Sequence, residues 1–310
     1  MPEAKNIHET QEKNTNPPSE LSVLVVLVHW KYYSKTLGCL KSLTRQNHRN
    51  IQIVLVNNDP EPFRMDLIDK SQHVNVLNNK KNLGFTKACN QGLRKAMEIG
   101  GDYVLVLNND TFVQENFLSP LLSTCENNRK WIVGPVCYHF GQKKIENAGG
   151  RILSWLGVCR LTRKKSRKAP DYLSGACFLV RMNILKDVGL FKEEMIMYFE
   201  DTEWSLRAVS KGYKLRIVPE SIIWHKHVSK GQGKKEWSDL KCYFIARNHF
   251  YFARTCFRGP RRWLWLFSYL MIGSHLHLIL FCRRISTIKC HFSGIYDGLL
   301  MRQNKNFLIR

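Results

Sequence analysis

The 310-residue sequence predicts an α/β protein built on an open, mainly parallel sheet. Continuous apolar, β-branched runs at 21–28 (LSVLVVLV) and 50–56 (NIQIVLV) have the pattern of strands covered on both faces. Amphipathic helical stretches separate such runs, with short connections between the two kinds of element. Polar clusters, His29-Trp30, Asn57-Asn58-Asp59 and Asn108-Asn109-Asp110, follow three of the runs directly. In sheets of this kind ligands bind beyond the carboxyl ends of the strands, so one rim should collect all three clusters.

Taken in order, residues 1–20 are polar, carry two prolines and lack an apolar run, which predicts a disordered tail rather than a signal peptide. A strand at 21–28 leads to a helix at 34–46 with Leu37, Leu40 and Leu43 on one face. The strand at 50–56 ends in the turn signal Asn57-Asn58-Asp59-Pro60. A short strand at 74–77 precedes a helix at 85–99, entered through Asn82-Leu83-Gly84. Its small residues Ala88, Cys89, Gly92 and Ala96, with Leu93, suit close packing on a sheet. Strands follow at 102–107 and 131–138. The alternation then breaks. Residues 141–170 are rich in glycine and basic residues and read as a loop or hairpin over the site or as a solvated loop. Beyond them come a strand at 173–180, a helix at 200–211 with Trp204, Leu206 and Val209 facing inward and Gly212 as its stop, and a strand region at 214–224 running into His225. From Trp237 onward the chain reads as helical, aromatic and basic.

Forty-eight Lys and Arg against 25 Asp and Glu leave a net charge of +23, which calls for an anionic partner. No nucleic-acid-binding motif is present, so a phosphorylated ligand or an anionic membrane surface is favoured over nucleic acid. Ten cysteines lie scattered without a C-x-x-C pair, mostly inside apolar runs, and predict buried reduced thiols in a cytoplasmic protein. Residues 263–282 form an uncharged run bracketed by Arg261-Arg262 and Arg283-Arg284, long enough to cross a bilayer. Its serines and histidines and its equally basic ends favour a helix lying on the inner leaflet, with Trp263, Trp265 and Tyr269 at headgroup depth. A buried or dimer-forming helix is the second reading and a true span the third.

Three short segments carry candidate chemistry. Asp110, after a buried strand, offers an oxygen ligand to Mg²⁺ or Mn²⁺. Glu200-Asp201 open a helix, where negative charge is favoured and adjacent side chains diverge by about 100°. His225, in Trp224-His225-Lys226-His227, offers an imidazole, with His227 as a competitor. Each has an ordinary structural alternative: a turn aspartate, an N-terminal carboxylate pair and a histidine closing a strand. Zinc is not expected at His-x-His, because no further ligands appear at a recognisable spacing. The Asn82-Leu83-Gly84-Phe85 entry could let backbone N–H groups approach a phosphate, but neither the Walker nor the Rossmann glycine pattern is present.

In this order the segments VVLVHW (25–30), IVLVNND (53–59), NLGFTKACNQG (82–92), VLNNDT (106–111), YLSGACFLVRMNIL (172–185) and the stretch 189–227 containing YFEDTEW and WHKH resemble family 2 glycosyltransferases with the GT-A fold, especially their rhamnosyltransferase-like branch. The resemblance spans residues 21–255. It implies a glycosyltransferase domain over 21–235 and a helical extension over 236–310. It further implies that Asp110 binds a divalent metal bridging the donor diphosphate, that His225 is a further metal ligand, and that Asp201 is the catalytic base with Glu200 orienting the acceptor or standing in as base. His29, Asn57, Asn58, Asn82, Gly84, Phe85, Asn108 and Asn109 would line the donor. Asn108 replaces the first acid of a D-x-D-like motif, and Asn57 stands where relatives carry an aspartate that reads the pyrimidine. The implied reaction is an inverting transfer of rhamnose or another hexose from a nucleoside-diphosphate-sugar to a lipid-linked or growing surface glycan. The enzyme would be cytoplasmic, peripheral to the plasma membrane, and able to pair through its C-terminal helices. A catalytically silent scaffold is the second reading, prompted by Asn57 and Asn108.

Overall fold

The computed structural model describes residues 21–69, 73–166, 168–226 and 234–302, with the backbone alone for 234–237. The tail expected to be disordered, and the competing His227, lie outside the described residues. Strand β1 (Val23–His29) is buried along its whole length, as a continuous apolar run requires. Around it the sheet runs β3 (Val74–Asn78), β2 (Ile51–Asn57), β1 and β4 (Tyr103–Asn108), all parallel.

Beyond β4 the sheet becomes mixed. Strand β10 (Cys177–Arg181) runs antiparallel to β4 and to β6 (Trp131–His139). Next to β6 lies β11 (Lys214–His225), parallel to it, and β11 ends against the short antiparallel β5 (Thr111–Val113). A further strand, β7 (Ile145–Asn147), pairs antiparallel with β6. The 141–170 segment therefore forms structure: β7, then a separate hairpin of β8 (Gly150–Leu153) and β9 (Val158–Leu161).

Alternation along the strands sorts two cores. Val23, Val25 and Leu27 face α1 (Tyr33–Thr44) and α3 (Leu118–Asn127). Leu24, Val26 and Val28 face α2 (Phe85–Ile99), α4 (Met182–Val188) and α5 (Glu200–Ser210). The short helices α3 and α4 leave too little periodicity to be read from sequence. On α5 the expected inward face is partly corrected: Trp204 and Ala208 are buried, but Val209 is exposed, because it lies five residues, not four, beyond Trp204.

A long helix α6 (Lys234–Cys256) crosses the molecule and packs along α9 (Ile285–Leu299). Between them α7 (Pro260–Ser268), a π-type turn (Tyr269–Gly273) and α8 (Ser274–Phe281) form one continuous helix, long and apolar enough to cross a membrane. Trp265 and Tyr269 do not lie at a headgroup surface. Both are buried, with the Tyr269 ring stacked at 3.8 Å on His249 of α6. The aromatic ring inserts here because α6 and the β8–β9 hairpin cover that side; a Cβ at Gly157 would meet the Tyr269 backbone.

The small-residue face of α2 sets the distance between helix and sheet. A Cβ on Gly92 would stand 2.5 Å from Val26 Cγ1 and 3.1 Å from Val56 Cγ2. We expect Gly92→Leu to destabilise the fold by about 1–3 kcal/mol through overpacking, measured as a lower midpoint in urea unfolding.

Candidate active site

The carboxyl ends of β1, β2, β4 and β11 form one rim. His29, at the end of β1, is fully buried; its Nδ1 lies 2.6 Å from Thr36 Oγ1 and its Nε2 3.4 Å from Asp59 Oδ2. Burial pushes its pKa down in spite of Asp59.

The asparagines after β2 are clasps. Asn57 donates to Glu61 O at 2.7 Å and to Asn78 Oδ1 at 2.9 Å, and its Oδ1 accepts from the Asp59 N–H at 3.2 Å. Asn58 donates to Asn82 Oδ1 and accepts from the Leu83 N–H. The Gly84 N–H goes to Asn82 Oδ1 and the Thr86 N–H to Ile196 O. These backbone donors are therefore already used inside the loop rather than left for a phosphate. Gly84 adopts φ 83°, and a Cβ there would press on Ile196 at 2.7 Å. Phe85 is half-buried between two core clusters.

At the end of β4, Asn109 donates to Thr36 Oγ1 at 2.8 Å. Asp110 Oδ1 lies 2.8 Å from His225 Nε2, and Asp110 Oδ2 3.3 Å from Lys35 Nζ. His225 Nδ1 lies 3.0 Å from Glu146 Oε1, and Glu146 Oε2 is 3.6 Å from His139 Nδ1. Burial opposes charge on Asp110, but His225 and Lys35 prevail and hold its carboxyl below the usual range. Burial also opposes charge on His225, and its two carboxylate partners overcome this, pushing the imidazole up to about 10. Register explains the meeting: β5 pairs antiparallel with β11, setting His225 opposite Thr111, next to Asp110.

The second cluster sits at the start of α5. Asp201 accepts from the Gly175 N–H at 2.7 Å and from Thr202 N–H and Oγ1 at 2.6 and 3.1 Å. Glu200 is buried and its Oε2 has no hydrogen-bond partner among the described residues. Burial, then the neighbouring Asp201, push Glu200 up to about 8; burial also raises Asp201, against the pull of its three donors. Gly175 adjoins Ala176, whose carbonyl accepts from the Asn108 N–H at 2.9 Å. Residues 174–176 thus join the Glu200–Asp201 pair to the rim that carries Asp110 and His225. A hollow of about 450 Å³ lined by Gln52, His73, Val74 and Asn75 lies instead at the amino end of β2 and β3.

Several contributors were not read from sequence. Lys35 and Glu146 carry no motif. Gly175 acts through its backbone N–H, and Arg247 and Asn248 through side chains that donate to backbone carbonyls. The turn before α5 is strained, with Ile196, Tyr198 and Phe199 at φ 61°, 65° and 70°. Asn248 of α6 holds it, donating to the carbonyls of Met195, Met197 and Tyr198 at 2.7, 2.8 and 2.9 Å, while Arg247 donates to Glu194 O and to Asn248 Oδ1. The only sequence signal is the polar triplet Arg247-Asn248-His249 set in an aromatic helix.

A model of the glycosyl transferase family 2 matches residues 24–189, more than half of the chain. The chain belongs to that family. It is 23% identical over 296 residues to the dTDP-rhamnosyl transferase RfbF of Shigella flexneri, covering 92% of this chain and 90% of that one. It is 26% identical over 276 residues to the N-acetylglucosaminyl-diphospho-decaprenol L-rhamnosyltransferase of Mycobacterium tuberculosis, covering 76% and 88%. Among solved structures, the mannosyltransferase PcManGT of Pyrobaculum calidifontis, in complex with GDP-Man and Mn²⁺, superposes with a TM-score of 0.59 at 13% identity over 95% of this chain and 84% of that one. GalNAc-T7 with UDP, GalNAc and Mn²⁺ gives 0.59 at 19% identity over 86% of this chain; the match spans 58% of GalNAc-T7. The architecture is therefore the GT-A fold, and this family 2 protein is a rhamnosyltransferase-like glycosyltransferase.

Two expectations follow from the site. Asn248→Leu removes donors from three buried carbonyls, at a cost of about 1–3 kcal/mol, and should speed amide exchange in residues 194–200 while leaving β1–β4 protected. Between the ordinary glutamate value of 4.5 and about 8 the native chain holds a proton on Glu200 that the unfolded chain releases. Stability should therefore fall as pH rises through that window. Glu200→Gln should flatten this decline in urea unfolding measured at a series of pH values.

Proposed function

We propose that the protein transfers rhamnose or a related hexose, with inversion, from a nucleoside-diphosphate-sugar to a hydroxyl of a lipid-linked or growing cell-surface glycan. The observation that carries this reading is the link from Asp201 through residues 174–176 to Asn108, which sets two chemically distinct carboxylate clusters on one rim. In this reading residues 21–235 form the catalytic domain and residues 236–310 its extension.

Asp201 takes the proton of the acceptor hydroxyl as its oxygen attacks the anomeric carbon. Its raised pKa makes it a stronger base than an exposed aspartate, and the Gly175 and Thr202 donors fix its orientation. Glu200, protonated through much of the neutral range, orients the acceptor. The donor lies along the ends of β1, β2 and β4 against Asn108 and Asn109, with the buried His29 supporting that wall from behind. Asn57, Asn58, Asn82, Gly84 and Phe85 shape that wall by fixing the turn.

Asp110 and His225 would hold a Mg²⁺ or Mn²⁺ ion once the imidazole gives up the proton that Asp110 and Glu146 stabilise on it. Their donor atoms stand 2.8 Å apart, and Glu146 anchors the far nitrogen of His225, an arrangement usual for metal-binding histidines. When bound, such an ion offsets charge on the departing nucleoside diphosphate. Lys35 supplies a fixed positive charge beside the same carboxylate. Asp201→Asn should lower transfer about 100- to 10,000-fold while leaving donor binding by calorimetry intact; full turnover by this variant would remove Asp201 from the base role. Asp110→Asn should weaken donor binding chiefly in the presence of Mn²⁺.

The C-terminal helices support a membrane-proximal acceptor at the inner face of the plasma membrane. One side of the Pro260–Phe281 helix packs on the protein, while Trp263, Phe267, Met271, Ile279 and Leu280 are exposed. On α9, Ile285, Phe292 and Tyr296 are exposed too. Arg258, Arg261, Arg262, Arg283, Arg284 and Lys289 stand beside this apolar surface in sequence. Such a combination suits an interfacial helix on anionic lipid. The full chain should float with phosphatidylglycerol vesicles and less with neutral ones, and Phe267→Ser with Ile279→Ser should abolish flotation. Concentration-dependent dimers without vesicle binding would assign the surface to a second copy instead.

A further inference from the structure

Away from the rim, three ligand-bearing side chains converge among the C-terminal helices. Cys242 comes from α6, His277 from α8, and Cys282 from the residue that closes α8. One donor atom of each lies within 4.8 Å of the others. The two Sγ atoms are 3.4 Å apart. All three side chains are buried, at 1%, 5% and 8% exposure, so no water layer separates them from the helices.

The imidazole arrangement is specific. His277 Nδ1 lies 3.1 Å from His291 Nδ1, and His291 Nε2 lies 2.8 Å from Ser274 Oγ. A proton on His277 Nδ1, donated to His291, leaves the Nε2 lone pair of His277 available. That Nε2 is buried and has no hydrogen-bond partner among the described residues. An unpaired buried polar atom costs free energy unless something satisfies it. Metal-ligating histidines commonly donate their other ring N–H in this way, which fixes tautomer and orientation.

We propose that Cys242, Cys282 and His277 bind one Zn²⁺ ion that fastens α6 to α8. The donor set of two thiolates and one imidazole is the borderline-soft combination that selects zinc over Mg²⁺ or Mn²⁺. With Zn–S bonds of about 2.3 Å, tetrahedral geometry places two sulfurs about 3.8 Å apart, close to the spacing already present. On binding, each thiol gives its proton to solvent and its sulfur forms one bond to the ion. Two thiolates, one dication and one neutral imidazole sum to zero charge, which suits a buried site. Water takes the fourth position. The ligands are 35 and 5 residues apart in sequence, so no motif spacing announces them. Because α6 also carries Asn248, the ion would stiffen the helix that holds the turn before Glu200 and Asp201. This site is independent of the reading of the rim.

The test uses the full chain, expressed with added zinc and dialysed free of loosely bound metal. About one zinc per chain is expected by elemental analysis, with a lower Tm after chelation. Cobalt substitution should give the intense visible bands of tetrahedral Co²⁺ and a thiolate charge-transfer band. His277→Ala and Cys282→Ser should each retain at least about tenfold less metal, and chelator should no longer move their Tm. Asp110→Asn with His225→Ala should keep the zinc, which separates this site from the rim. Metal-free protein with a chelator-insensitive Tm, wild-type zinc content in the His277 and Cys282 variants, or a Cys242–Cys282 disulfide in zinc-grown protein would each overturn the proposal.

Discussion

The antiparallel run of β10 beside β4 is the constraint on which the rim depends. In a wholly parallel sheet, every strand would begin at the far end and only carboxyl termini would reach the ligand side. Because β10 runs the other way, its amino end arrives there, and residues 174–176 lie next to Asn108. The Gly175 N–H then holds Asp201, a residue from a helix packed on the opposite sheet face from α1 and α3. A backbone pairing thus brings together acids that are 91 positions apart in the chain.

The C-terminal helices brace the turn that leads into Glu200 and pack in one cluster with Phe85. The turn before Glu200 keeps three non-glycine residues at positive φ, a conformation it would not hold alone. Asn248 and Arg247 supply donors to four of its carbonyls. Their own desolvation is offset by that pairing, and His249 is locked between Phe199 and Tyr269. The extension is therefore part of the scaffold of the turn before α5, with its outer surface left apolar.

Charge is arranged differently at the two clusters. Asp110 and His225 belong to a chain of alternating charge that runs from Lys35 to Glu146. Glu200 and Asp201 are raised by burial, Glu200 further by its neighbour. Charge partners thus favour ionisation in the first cluster, and burial opposes it in the second; this contrast is what supports the proposed division of roles.

The sequence carries the strand-helix order of the first half, because buried parallel strands appear as unbroken apolar runs, and it marks the family through six ordered segments. It also marked Asp110, Glu200, Asp201 and His225, each standing at the end or start of a recognisable element. It offered a hairpin within 141–170 only as one of two readings, and it did not disclose the direction of β10 or which aromatics of the 263–282 helix turn inward. Those follow from which surfaces pack, a property that local pattern does not encode: Trp265 and Tyr269 read as interfacial aromatics until α6 covers them. Lys35, Glu146, Gly175 and Asn248 came only from tertiary structure, because a hydrogen bond between distant segments, most of all one made by a backbone N–H or carbonyl, leaves no residue type to recognise.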